Sequence, residues 1–235
     1  MKHFKDNNIF SKKQYGFKTG RSTVLQLLNI LDTWTAKLEE GGCENVIYTD
    51  FEKAFDKVPH ERLLSKLRSY GISEDIIAWI KKCLCCRKHR FKIKGKFSKW
   101  FKVLSDIPQG SVLGPLLFII YINDLAEACE GHASTFLFAD DAKIFQHIKS
   151  QVDKHKLQQT CDTMGTWSER WLMPLNAKKC TILRIGKDNK GVDNNCCIKV
   201  GEVTTNLAKA TSIKDLGVIV DENLSFKELI NSKIK

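Results

Sequence analysis

Apolar and polar positions divide the chain into short helices and strands. Val24, Leu27, Leu28 and Leu31 recur at helical spacing and predict a first amphipathic helix, which Gly41-Gly42 brings to an end. Val46-Ile47-Tyr48-Thr49 is a β-prone run that stops at Asp50. Pro59 opens a helix with Leu63, Leu64 and Leu67 on one face, closed by Gly71, and Ser73 caps another that carries Ile76, Ile77 and Ile80. Residues 91–104 read as a hairpin around Lys94-Gly95-Lys96, and a buried helix follows Pro115. Phe136-Leu137-Phe138 and Ile144-Phe145 flank Asp140-Asp141 as strand, turn and strand. A helix covers about 151–168, and short strands lie near 180–185 and 214–220. Strands and helices mix without strict alternation, which makes the fold class α+β.

Length and composition narrow the class. The 235 residues, 43% hydrophobic, suffice for one large or two small domains with a real core. Lys and Arg number 38 against 27 Asp and Glu, a net charge of +11 that favours a polyanionic partner, nucleic acid before an anionic membrane. The polar N-terminus MKHFKDNNIF has no signal-peptide character, and the longest apolar run, Leu116 to Ile122, is too short to cross a bilayer. Nine cysteines, an odd and irregularly clustered count, read as reduced thiols of an intracellular protein. Cys83, Cys85, Cys86 and His89 are a candidate metal set, but they lack the paired spacing of a zinc site.

The acids carry the sharper chemistry. Asp50 ends an apolar strand and Asp140-Asp141 sits in a hairpin turn. Each alone is an ordinary capping or turn aspartate. Brought to one sheet edge, the three carboxylates would repel by roughly 4 kcal/mol per pair at about 4 Å and an effective dielectric near 20. Hard divalent cations relieve such repulsion, and two of them clamp the attacking and leaving oxygens of a phosphoryl displacement. Residues 81–102 add ten basic side chains, no acid, and interleaved Phe91, Phe97, Trp100 and Phe101. Cations there neutralise phosphates and aromatics stack on bases, so Arg87, Lys88, Arg90, Lys92, Lys94 and Lys96 are nucleic-acid-binding candidates.

These residues resemble the motifs of reverse transcriptases, in wording nearest the non-LTR (LINE-type) retrotransposon polymerases. Asp50-Phe51-Glu52-Lys53-Ala54-Phe55-Asp56 resembles motif A, the stretch from Ile107-Pro108-Gln109-Gly110 to Phe118 motif B, and Phe138-Ala139-Asp140-Asp141 motif C. Gln14-Tyr15-Gly16-Phe17 with Gly20-Arg21-Ser22-Thr23 resembles a fingers motif, residues 175–180 motif D, and Leu216-Gly217-Val218 the motif after it. The resemblance implies a polymerase palm, an antiparallel sheet with packed helices, at about 46–59 and 106–220, and partial fingers at about 1–45 and 60–105. It also implies that the upstream fingers and a complete thumb are missing.

The implied activity is RNA-directed DNA synthesis with two Mg²⁺ ions, or Mn²⁺, on an RNA template, a DNA primer and deoxynucleoside triphosphates. Asp50 and Asp140 would hold both metals, Asp141 would assist and the Phe51 carbonyl would add a ligand. Phe55 would be the steric gate against a 2′-hydroxyl, or else a core aromatic. Gln109 and Gly110 would border the nucleotide, and Lys179 would protonate pyrophosphate. No membrane partner is implied, and the location would be nuclear or cytoplasmic. The chain departs from the pattern at Asp106, where the family has Gly, and at Phe138, where Tyr is usual. An inactive nucleic-acid-binding remnant is the main alternative. An RNA polymerase on the same architecture fits Phe55 poorly, and a metal nuclease leaves Pro108-Gln109-Gly110 unexplained.

Overall fold

The computed structural model describes residues 2–108, 110–186 and 195–234. In chain order the elements begin with α1 (Lys2–Asp6), α2 (Thr23–Glu39), β1 (Cys43–Thr49), α3 (His60–Ser69) and α4 (Glu74–Cys85). An arm follows, of β2 (Lys88–His89), β3 (Lys92–Ile93), β4 (Lys96–Phe97) and β5 (Phe101–Lys102). Then come α5 (Leu113–Tyr121), α6 (Leu125–Ala128), β6 (Ser134–Phe138), β7 (Asp141–Ile148), α7 (Gln151–Trp171) and β8 (Thr181–Gly186). The last are β9 (Cys197–Val200), β10 (Val203–Asn206), β11 (Ala208–Ala210), β12 (Ser212–Asp215), β13 (Val218–Asp221) and α8 (Lys227–Lys233). This is the α+β class.

The centre is a five-stranded sheet in the order β11-β8-β1-β7-β6, antiparallel except where β11 runs parallel to β8. Its strands alternate between two cores, as a period of two requires. Ile47, Ile144 and Ile182 face one core with α3, α4, α5 and α7, whereas Val46, Phe145 and Leu183 face the other with α2. Both faces of β1 are therefore covered, and even its polar Glu44 and Asn45 are buried.

The helices follow the apolar pattern with two corrections. In α2 the buried stripe is Gln26, Leu27, Ile30 and Trp34, while Val24 and Leu28 point outward. Ile30 and Trp34 are fully buried, Trp34 edge-on against Phe145, and Gln26 is buried with its amide donating to Leu137 O at 3.1 Å. In α4 the stripe is Ile77, Ile80 and Leu84, and Ile76 is exposed. Helix α5 starts at Leu113, two residues before Pro115, whose missing N–H falls in the first turn where no helical bond is lost. Helix α7 runs on to Trp171 and is capped by the left-handed Leu172. The stretch near 214–220 is a hairpin rather than a single strand. Leu216-Gly217 turns it with positive φ at both positions, and Lys94-Gly95 turns the arm in the same way.

Candidate active site

The two acidic motifs meet because β1 and β7 are neighbours. The pairing ends at Thr49↔Ala142, so Asp50 leaves β1 beside Asp141 at the start of β7. On the far side, Asn176 N–H donates to Asp50 O at 2.7 Å, Glu52 N–H donates to Pro174 O at 2.8 Å, and Asp50 N–H donates to Cys180 Sγ at 3.4 Å. Residues 174–180 therefore hold the backbone of Asp50 and Phe51, and the Phe51 ring packs edge-on against Trp167.

Asp50, Phe51 and Asp140 line one open cleft of about 580 Å³. Lys53, Lys57, Lys179 and Asn176 line it too. Lys179 Nζ stands 3.8 Å from Asp50 Oδ2, with both side chains substantially exposed. Asp141 is not part of this lining; it lies toward Lys143, whose ammonium forms a buried ion pair with Asp215 at 2.5 Å. Desolvation raises the Asp140 carboxyl above the usual range, opposed by a backbone hydrogen bond and reinforced by the charge of Asp50. Asp141 is raised as well, by desolvation first and the Asp140 charge next. Crowded, desolvated carboxylates of this kind gain from a cation.

The donor set fits Mg²⁺ in part. Two carboxylates supply hard oxygens, and Mg²⁺ commonly takes one or two carboxylates and completes its shell with water and substrate phosphate. Among the described residues, no three His, Cys, Asp or Glu side chains converge as a ready-made ligand cage. The same holds for the candidate cysteine set. Cys83 and Cys86 are exposed, Cys85 Sγ lies 3.6 Å from His60 Nδ1, and the His89 ring packs against Phe91 and Phe101.

The turn bearing Asp140 has a support that the sequence reading did not name. Gln14 is fully buried and its Oε1 accepts from Ala139 N at 3.0 Å and Gly16 N at 2.7 Å. A Cβ on Gly16 would stand 2.3 Å from Ala139 N. In the sequence Gln14 and Gly16 stand out only as part of a motif, and nothing local marks the Gln14 amide as buried. Lys53 and Lys57 were missed too, although their spacing after Asp50 sets two cations at the cleft.

The other nominated residues are dispersed. Phe55 is half-buried and stacks on Phe118, centroids 4.3 Å apart and planes at 18°. Gly110 is exposed at φ +77°, and Gln109 lies outside the described residues. Lys88, Arg90, Lys92, Lys94 and Lys96 are exposed along the arm, where Arg90 lies over the rings of Phe97 and Trp100 at 3.9 and 4.6 Å. Arg87 differs from them: its guanidinium is paired with Asp106 at 3.1 Å.

Comparison with known proteins follows the same lines. The family profile described as Reverse transcriptase (RNA-dependent DNA polymerase) matches residues 1–220. The RNA-directed DNA polymerase from mobile element jockey of Drosophila funebris is 29% identical over 231 residues, covering 94% of this chain and 24% of that protein. The retrovirus-related Pol polyprotein from type-1 retrotransposable element R2 of Popillia japonica is 26% identical over 154 residues, covering 60% of the chain and 24% of that protein. The chain thus spans about a quarter of these relatives. Among solved structures, apo telomerase from Candida tropicalis truncated from its C-terminal domain superposes with a TM-score of 0.56 at 10% identity. That superposition covers 89% of this chain and 39% of the telomerase, and at such identity it speaks for the shared fold alone. With a match over residues 1–220 and the acidic motifs brought to one sheet edge, the chain belongs to the reverse transcriptase family.

Proposed function

We propose that this chain is the catalytic core of an RNA-directed DNA polymerase, acting on an RNA template, a DNA primer and deoxynucleoside triphosphates. The observation that carries the reading is the shared cleft, in which Asp50 and Asp140 face Lys53, Lys57 and Lys179. Two divalent cations, Mg²⁺ or Mn²⁺, would when bound supply charge neutralisation for the attacking and leaving oxygens. Asp50, Asp140 and the Phe51 carbonyl would hold them, with Asp141 as an auxiliary acid. The three lysines bind and orient the triphosphate, and Lys179 is positioned to pass a proton to the departing pyrophosphate. Positioning and fixed charge are the main terms in phosphoryl transfer generally.

Phe55, backed by Phe118, serves as a rigid wall against a ribose 2′-hydroxyl, with Gln109 and Gly110 beside the nucleotide. In the arm, Lys88, Arg90, Lys92, Lys94 and Lys96 contact phosphates. None of these five pairs with an acid among the described residues. Residues 46–59 and 106–220 act as palm, and 1–45 and 60–105 as partial fingers. Among the described residues, no helix is long and apolar enough to cross a membrane. We assign the protein to the nucleus or cytoplasm on the family's ground.

The test is primer extension on poly(rA)/oligo(dT) with Mg²⁺ or Mn²⁺. Incorporation by the natural chain that disappears in Asp140→Asn supports the polymerase reading. No incorporation by either, with salt-sensitive duplex binding retained, favours a nucleic-acid-binding remnant. The observation on that side is Asp106, held at φ +113° where the family resemblance has glycine.

A further inference from the structure

We infer that Arg87 is a positioning residue that ties the base of the basic arm to the nucleotide pocket, rather than a contact for nucleic-acid phosphate. The inference rests on the polymerase reading and deepens it. Arg87 lies just past Cys86, the C-cap of α4, and begins the arm, whose return strand is held where Val103 N–H donates to Arg87 O at 3.1 Å. Its guanidinium turns away from the other arm cations. One nitrogen donates to Asp106 Oδ2 at 3.1 Å, the other to Asp106 O at 2.8 Å, and Nε donates to Leu84 O at 3.2 Å. Asp106 O also lies 2.9 Å from Nε2 of the buried His60.

Asp106 in turn stands on the segment that shapes the pocket. Residues 104–107 run antiparallel to 55–60. Ile107 N–H donates to Phe55 O at 2.9 Å, Asp106 N–H donates to Val58 O at 3.1 Å, and Pro59 bridges Ser105. The proposed gate residue and the entry to Pro108-Gln109-Gly110 are thus fastened to one ribbon. Arg87 and His60 grip that ribbon at Asp106, which holds φ +113°, a conformation that strains any residue with a Cβ. An aspartate there accepts the strain but adds an acceptor that glycine lacks, and the two-pronged guanidinium uses it. The carboxylate is consequently neutralised within the protein, and Arg87 has little charge left for a phosphate.

The experiment uses the full chain on poly(rA)/oligo(dT), with Arg87→Ala, Arg87→Lys, Asp106→Gly and, as the phosphate-contact control, Lys92→Ala. Steady-state KM and kcat for dTTP, equilibrium competition between dTTP and UTP, and the salt dependence of duplex binding are measured. Arg87→Ala should raise the dTTP KM about tenfold with kcat nearly unchanged, as expected when binding in the ground state and the transition state is lost alike. It should also narrow the preference for dTTP over UTP and leave the salt slope unaltered. Lys92→Ala should instead reduce the slope by about one. Arg87→Lys should not restore KM, because an ammonium keeps the charge without the fork. Asp106→Gly, which relieves the backbone strain and removes only the carboxylate bond, should fall between natural chain and Arg87→Ala, and it carries the test if Arg87→Ala does not fold.

Restoration of KM by Arg87→Lys, or a salt slope lowered as in Lys92→Ala, identifies a phosphate contact and overturns the inference. A natural chain that incorporates and binds no dTTP sinks the polymerase reading, and the inference with it. An active natural chain with unchanged Arg87→Ala sinks the inference alone.

Discussion

At the scale of single residues, the site depends on how closely backbone can approach backbone. Gly16 lies against the turn that presents Asp140, with no room for a Cβ beside Ala139 N. Gly16→Ala should therefore displace that turn and cut nucleotide incorporation by at least about tenfold, the scale of roughly 1.4 kcal/mol. Duplex binding should be unchanged, so loss of both together would point to global unfolding instead. Gln14→Leu would strand the amides of Ala139 and Gly16, at about 1–3 kcal/mol each. Its thermal midpoint should drop more than that of a surface control such as Lys12→Ala. Phe55, the proposed gate, also packs as a core ring, because it stacks on Phe118. Phe55→Val should admit UTP and also destabilise the fold; a stability cost with unaltered dTTP/UTP discrimination would leave Phe55 as core alone. The sequence marks Asp50, Asp140 and Phe55 through motif spacing, but Gln14's role is hidden because its partner Ala139 lies 125 residues away.

At the scale of elements, buried polar pairs fasten the strands to one another. Glu44 of β1 is buried opposite His147 of β7, with Oε1 2.8 Å from Nδ1. His147 Nε2 lies 2.9 Å from Gly41 O, a carbonyl that only accepts, so Nε2 carries a proton. A further proton lies between Glu44 Oε1 and His147 Nδ1, and burial, which raises the Glu44 carboxyl and lowers the imidazole, favours keeping it on Glu44. Burial pushes the Glu44 pKa up to about 8, against a smaller opposing pull from Lys37. Between the ordinary value of 4.5 and about 8, the folded chain keeps a proton that the unfolded chain releases. Stability from this group is thus full below the lower value and lost as pH rises through the upper one. The thermal midpoint should fall between pH 5 and 8, and Glu44→Gln, which still donates to Nδ1, should flatten the fall. Equal slopes in the two proteins would remove Glu44 as the cause. Lys66 of α3 makes the converse case. It is buried among Tyr121, Trp167 and Trp171 beside Asp124, and burial lowers its pKa to about 8. Neither pair was visible in the hydrophobic pattern, which registers polar residues as surface.

At the scale of the whole molecule, charge is distributed unevenly. The net charge of +11 is concentrated in part on an arm whose strands are exposed throughout. Phe97 and Trp100 stay uncovered beneath Arg90, two exposed rings among the exposed cations of the arm. Replacing Lys92, Lys94 and Lys96 together by alanine should weaken duplex binding uniformly across sequences and lower the salt slope by about three. Nucleotide KM at saturating duplex should hold. A slope that does not move would place the nucleic acid on another face. The basic run of residues 81–102 was legible as a run, but Lys81 belongs to α4 and bridges Glu61, and Arg87 bridges Asp106.

What the sequence determined by itself was the local chemistry. Alternation and turn residues announced β1, the hairpin of β6 and β7, and the helices α3 and α7, because side-chain period and backbone preference act over a few residues. The order of acidic and glycine-bearing motifs identified the family. Only the tertiary structure decided which face of α2 is buried, since Trp34 and Gln26 are claimed by strands far along the chain. It alone brought β1 beside β7, so that Asp50 and Asp140 share a cleft while Asp141 turns toward Lys143 and Asp215. It alone turned Arg87 from the arm to Asp106. Strand neighbours and ion-pair partners depend on long-range closure of the chain, and no local pattern of residues encodes that closure.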